Sequence, residues 1–264
     1  ALFPTQNIDI MDNSYVGSGK LDGSGIPADF FANKDSRKAL NYAFNGNLYI
    51  EDVWEGDATQ PASCVPKGMI YFDPELKPYR HDLEKATELL EQAYDGRVWK
   101  EGFKFTIAYI SGEQEGKSAA EVLELGIEEI NPKFQVDIQA MQTAAFIEDL
   151  MSNRLPIFVW AWTADFLDPH NFCYPFMHGD GFWAAGQGIT KYNELVEKGG
   201  SLPEGEERRS VYHELQKLAH DDAIDIFAAQ PLGWHVERSW VKGWYQFIPQ
   251  WNLEYFYPLS KVQE

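Results

Sequence analysis

From about Asn33 onward, the apolar positions of the chain switch repeatedly between helical and strand spacing. Ala39, Leu40, Ala43 and Phe44 fall on one helix face behind Asn33, whose short polar side chain suits a helix start. A helix is therefore predicted from Asn33 to Asn45, ending before Gly46. Ala86, Leu89, Leu90 and Ala93 repeat the pattern behind Asp82. Phe103 to Ile110 then alternates as a strand does, Lys117 to Ile130 reads as a helix stopped by Asn131-Pro132, and Phe134 to Gln139 reads as a second strand. Thr143 to Met151 is predicted helical, and Ile157 to Trp162, an apolar run entered through Pro156, is predicted to be a strand covered on both faces. Asp168-Pro169 marks a further helix start, with the Asp side chain capping and proline fixing φ at the first turn. Two more helices are expected over Lys191 to Lys198 and Glu204 to His220. From Ala223 the chain is rich in Ile, Phe, Trp and Tyr and broken by Pro231, Gly233 and Gly243, which predicts short strands joined by turns.

Three stretches lack such periodicity. Ser14 to Phe30 carries Gly17, Gly19, Gly23 and Gly25 and reads as an irregular crossing segment outside the core. Pro61 to Pro78 is a proline-rich, rigid connector, and Gly179 to Gly188 is a glycine-rich turn region holding Phe182 and Trp183. Alternating strands and helices over residues 80 to 165 predict an α/β fold, a mixed and mainly parallel sheet flanked by helices.

Composition narrows the function classes. With 264 residues, 44% of them hydrophobic and 15% aromatic, the chain can build a large core. A formal charge of −19 argues against nucleic acid or an anionic membrane surface as partner, because both need clustered Lys and Arg. No apolar run approaches the roughly 20 residues that cross a bilayer. Ala1 opens a polar, loop-like segment, so any export signal is expected to have been removed or to lie outside this sequence. Cys64 and Cys173 are the only cysteines, which leaves no zinc framework and no C-x-x-C motif. They are either paired across a long loop or two buried free thiols. No metal and no cofactor is expected.

Asp165 is the candidate site residue. It lies between the Ile157 to Trp162 strand and the Asp168-Pro169 helix start, with no capping role, where open α/β sheets hold ligands. The alternative is a solvated loop acid. Trp160 and Trp162, two residues apart, are expected on the same side of their strand, with Ala161 on the other. Tryptophan on a strand usually serves the core, whereas Trp183 in a glycine-rich loop is free to meet a ligand. The ligand-binding set predicted is Asp165, Trp162, Trp160, Trp183 and Ala164. A glycosidase-like pairing of Asp165 with Asp168 is disfavoured because Asp168 is better explained as a cap. Cys173 with His170 or His178 is more simply one helix face, no G-x-S-x-G is present, and His213 and His220 read as surface groups, so no catalytic residue is assigned.

Several local signatures in one order resemble the family 5 extracellular solute-binding proteins, the oligopeptide and dipeptide class. DSRKALNYAF at Asp35 to Phe44 resembles the family's Arg-x-Ala helix, followed by the proline loop CVPKGMIYFDPELKPY at Cys64 to Tyr79. HDLEKATELLEQA at His81 to Ala93 is similar to its Asp-Pro-Glu-Lys-Ala helix, with leucine in place of proline. WTADFLDPHNF at Trp162 to Phe172 resembles its Trp-x-x-Asp-x-x-x-Pro pattern, and VYHELQKLAHDDAIDIF at Val211 to Phe227 its late helix and strand. The resemblance implies one lobe of a periplasmic-binding-protein-like type II clamp. Residues 28–238 would form the carboxy-terminal lobe, 1–27 a connector to the missing lobe, and 239–264 a return segment toward it. It further implies a monomeric, non-catalytic component of an ABC importer, periplasmic or extracellular and lipid-anchored in some settings, that hands its ligand to a membrane permease. Asp165 would hold a peptide's α-ammonium group. Dipeptide specialists place an arginine after the strand matching Phe103 to Ile110, and here SGEQEGKSA offers only Lys117, which favours longer peptides or a non-peptide ligand. An oligosaccharide stacked on tryptophan is the alternative. Nickel or haem carriage finds no histidine cluster around Asp165.

Overall fold

In the computed structural model, residues 1–182, 190–244 and 258–262 are described. The chain runs through β1 (Leu2–Pro4), α1 (Lys34–Ala43), α2 (Gly46–Trp54), β2 (Ala58–Thr59), α3 (Leu83–Gln92), α4 (Arg97–Glu101) and β3 (Phe103–Ile110). It continues through α5 (Gln114–Ile130), β4 (Phe134–Met141), α6 (Thr143–Met151), β5 (Ile157–Val159), α7 (His170–Met177), α8 (Thr190–Ser201) and α9 (Glu206–Asp221). The short strands β6 (Gln230–Pro231), β7 (Val241–Lys242) and β8 (Ser260–Lys261) follow.

The main sheet has the order β1-β5-β3-β4. β3 pairs in parallel with both β4 and β5, and β1 lies antiparallel to β5, so the sheet is mixed and mainly parallel. Strand alternation sorts its side chains into two cores. Leu2, Phe103, Phe105, Ile107, Phe134, Val136, Ile157 and Val159 face the first, which α1, α3 and α5 cover. Phe3, Ala108, Ile110, Met141 and Phe158 face the second, covered by α6, α7, α8 and α9. Phe103 and Phe134, opposite one another in the β3–β4 register, stack with centroids 4.4 Å apart.

Helix starts follow the capping residues. Asn33 accepts the Ser36 N–H at 2.9 Å and Asp82 accepts that of Lys85 at 3.0 Å. Gly126 allows α5 to lie directly against α1, since a Cβ there would sit 2.1 Å from the Ala43 carbonyl oxygen. Arg37, in α1, is buried and gives its guanidinium N–H groups to the carbonyls of Phe31, Ala32, Asp222 and Ala223, tying α1 to the end of α9.

Four readings change. β1 is a strand that periodicity did not predict, because three residues carry too little pattern. The glycine-rich stretch is irregular, yet Val16, Leu21 and Ile26 are buried in the first core, held there by tight turns. α2 and α4 were not anticipated. The strand expected over Ile157 to Trp162 ends at Val159, because its ladder to β3 covers only Ile157 and Phe158.

Candidate functional site

The site grows from the topology. β3 and β5 are parallel neighbours, and α5, which follows β3, lies on the first core whereas α7, which follows β5, lies on the second. Connections leaving two adjacent strands toward opposite faces open a crevice at the strands' carboxyl ends. The segment Trp160 to Pro169 occupies that end of β5.

Asn171, buried in the first turn of α7, organises the segment. Its side-chain oxygen accepts the Asp165 main-chain N–H at 2.9 Å, and its main-chain carbonyl accepts Trp162 Nε1–H at 2.8 Å. That carbonyl is available because the residue four positions on is Pro175, which has no N–H to return to it. Asp168 is fixed separately. One carboxylate oxygen accepts the His170 N–H at 2.8 Å, and Arg208 of α9 grips both oxygens at 2.8 and 2.9 Å. Burial lowers the pKa of Arg208, and the Asp168 and Tyr212 contacts outweigh it, leaving the guanidinium above its ordinary value.

Asp165 stands in contrast. Its residue is exposed, and among the described residues its carboxylate receives only a long bond from Asn171 Nδ2 at 3.4 Å. Among the described residues no Lys, Arg or His forms an ion pair with it. A carboxylate has about four lone-pair positions, so most of this one faces outward. Ala164 is buried beneath it. Trp160 and Trp162 are half-buried and pack, with Phe158, against the second core, while Ala161 is exposed. The Trp160 ring meets Phe146 edge-on at 5.3 Å and Phe182 at 5.8 Å. Both tryptophans therefore hold the loop in place. Trp183 lies outside the described residues. Phe166 and Leu167, beside Asp165, are 49% and 44% exposed.

Lys117 lies in the first turn of α5, paired with Glu121 at 3.1 Å. The cysteine sulfurs are 3.9 Å apart, buried and not bridged. Among the described residues no cluster of His, Cys, Asp and Glu could hold a metal, and no helix is long and apolar enough to cross a membrane. A 380 Å³ cleft lined by Leu48, Leu125, Glu128 and Glu129 contains none of the predicted site residues. Asn171 and Arg208 escaped the sequence reading. An asparagine in a helix three residues after a cap is a weak signal for the first, and nothing local marks Arg208 as the partner of an acid 40 positions away.

The family model for bacterial extracellular solute-binding proteins, family 5 Middle, matches residues 10–184. The chain is similar to the probable di/tripeptide-binding protein 5 of Pseudomonas aeruginosa (strain UCBPP-PA14), 24% identical over 220 residues that cover 81% of this chain and 40% of that protein. It is also similar to heme-binding protein A of Haemophilus influenzae, 24% identical over 233 residues, 87% of this chain and 42% of that one. Among solved structures, the ABC transporter-associated periplasmic binding protein DppA from Helicobacter pylori, in complex with the peptide STSA, matches with a TM-score of 0.71 at 23% identity over 99% of this chain and 47% of that one. The chain thus spans less than half the length of these relatives. Its fold is the α/β architecture of type II periplasmic binding proteins. By the extent of the family match, the chain belongs to the bacterial extracellular solute-binding proteins of family 5.

Proposed function

We propose that this chain is the carboxy-terminal lobe, over about residues 28–238, of a non-catalytic ABC-importer binding protein that closes around an oligopeptide outside the cytoplasm. Residues 1–27, which also give β1 to the sheet and Val16, Leu21 and Ile26 to the first core, and residues 239–264 lead toward the second lobe. Asp165 holds the peptide's α-ammonium group. The observation that carries the reading is an exposed, unsalted carboxylate whose main chain is fixed by Asn171 at the carboxyl end of β5. Relatives named for di- and tripeptides and a structure bearing the peptide STSA support the ligand class.

Closure of a second lobe over Asp165 would exclude water and strengthen a charge-assisted hydrogen bond to about 1.5–3 kcal/mol net. The half-exposed Phe166 and Leu167 supply apolar surface for ligand side chains or for the opposing lobe. Main-chain pairing of the peptide would give sequence tolerance. Trp160, Trp162, Ala164 and Trp183 complete the proposed contact set, the first two mainly by positioning. The membrane permease is the partner that receives the ligand.

The test is calorimetry on the full-length protein with a tetrapeptide, its N-acetylated form and a cello-oligosaccharide. The tetrapeptide should bind, and both N-acetylation and Asp165→Asn should weaken it roughly 10- to 100-fold. Equal affinity for the acetylated peptide removes the ammonium role. Binding of the sugar alone, unchanged in Asp165→Asn, replaces the peptide reading with tryptophan stacking.

A further inference from the structure

The chain's only cysteines, Cys64 and Cys173, are 109 positions apart, one in the proline-rich connector and one in α7. Their sulfurs nevertheless meet at 3.9 Å inside the second core, where each is the other's hydrogen-bonding partner. Met177 Sδ, 3.9 Å from Cys64 Sγ, completes a soft, apolar surround. A disulfide has its sulfurs about 2.05 Å apart, so closure of this pair needs about 1.9 Å of further approach. The deciding factor is then the redox compartment.

We propose that Cys64 and Cys173 are oxidised to a disulfide in the mature protein, cross-linking the proline-rich connector to α7; this rests on the extracytoplasmic reading above. Each thiol loses one proton and one electron as the S–S bond forms. Both electrons and both protons pass to the disulfide of a thiol–disulfide oxidant, which leaves as a dithiol. In the folded core the Cys64 contact and burial push the Cys173 thiol well above its ordinary pKa, and exchange needs a thiolate. The bond therefore forms while the chain is folding, and afterwards burial shields it from reductants. The cross-link anchors α7 two residues beyond Asn171, the residue that holds Trp162 and the Asp165 main chain.

The experiment takes full-length protein from its native host, denatures it in iodoacetamide without reductant, and reads the intact mass and the peptide map. Cys64 and Cys173 should carry no adduct before reduction and one each after dithiothreitol in the peptide map, with a Tm lowered by roughly 2–8 °C on reduction. A second sample is reduced, unfolded and refolded in a glutathione redox buffer. Adducts on both Cys64 and Cys173 before reduction, together with no closure between them in glutathione, overturn the cross-link. Adducts on both before reduction with closure in glutathione support the pairing and place the failure in the extracytoplasmic reading instead.

Discussion

The two faces of the sheet are built differently. The first core is assembled mainly from α1, α3 and α5 against β3 and β4, elements close in sequence and regular in period, with β1, β5 and the glycine-rich stretch completing it. The second gathers Phe3, Cys64, Tyr71, Phe146, Phe158, Cys173, Tyr192 and Tyr212 from remote stretches, several of them loops. Its polar groups are also satisfied over long separations, as between Arg208 and Asp168 or between Gln216 and the Tyr71 carbonyl. The face assembled from distant parts is the one that carries Asp165. A loop that holds a charged group outside the core needs several independent anchors, and anchors from different elements restrain more directions than neighbours in one helix do.

The sharpest way to break this contrast is to damage each face in turn. Phe103→Ala removes a fully buried ring stacked on Phe134 and should cost about 3–5 kcal/mol of stability, read by denaturant unfolding. Ligand affinity of the protein that remains folded should change little. A large affinity loss would show that the faces are not separable.

Asn171→Ala should do the reverse. Losing the Asn171 side-chain bonds with the Asp165 N–H and the Asp165 carboxylate should cost only about 1–3 kcal/mol in unfolding, while peptide affinity falls as the Asp165 main chain is freed. Unchanged affinity with lowered stability would reduce Asn171 to a packing role.

The smallest effect concerns Asp225, buried where the two cores approach the end of α9, with neither carboxylate oxygen hydrogen-bonded. Burial raises its pKa well above the ordinary carboxylate range, and the charge of Arg37 only partly opposes this. Below the unfolded pKa of about 4, both states are protonated and the group is neutral to stability. As pH rises above it, the unfolded chain gives up the proton more readily, so the native state is progressively disfavoured. Asp225→Asn should therefore stabilise by about 1–2 kcal/mol at pH 7 and have no effect near pH 3, read by thermal unfolding across pH. Destabilisation at pH 7 would mean that the carboxylate is paired in the full-length protein.

Much of the regular frame was legible in the residues. Phe103–Ile110 and Thr143–Met151 coincide with their predicted bounds, and the Asn33 and Asp82 caps do what their positions foretell, because each depends on neighbours within one or two turns. Asp165 was legible as a carboxylate without a local task, and Asp168 as a cap. Illegible were the early end of β5, the core role of Val16, Leu21 and Ile26, and the grip of Arg208, since each depends on a partner far along the chain.

The sequence by itself determined most of the longer helices and strands, through side-chain period and capping chemistry, and it set the order of motifs that marks the family. Only the tertiary structure decided that Asn171 rather than the strand fixes the Asp165 main chain, that both tryptophans pack against the second core, and that Cys64 and Cys173 touch. Those outcomes depend on contacts across tens of residues, and the physics of burial and hydrogen bonding settles them only once the sheet has brought its two faces together.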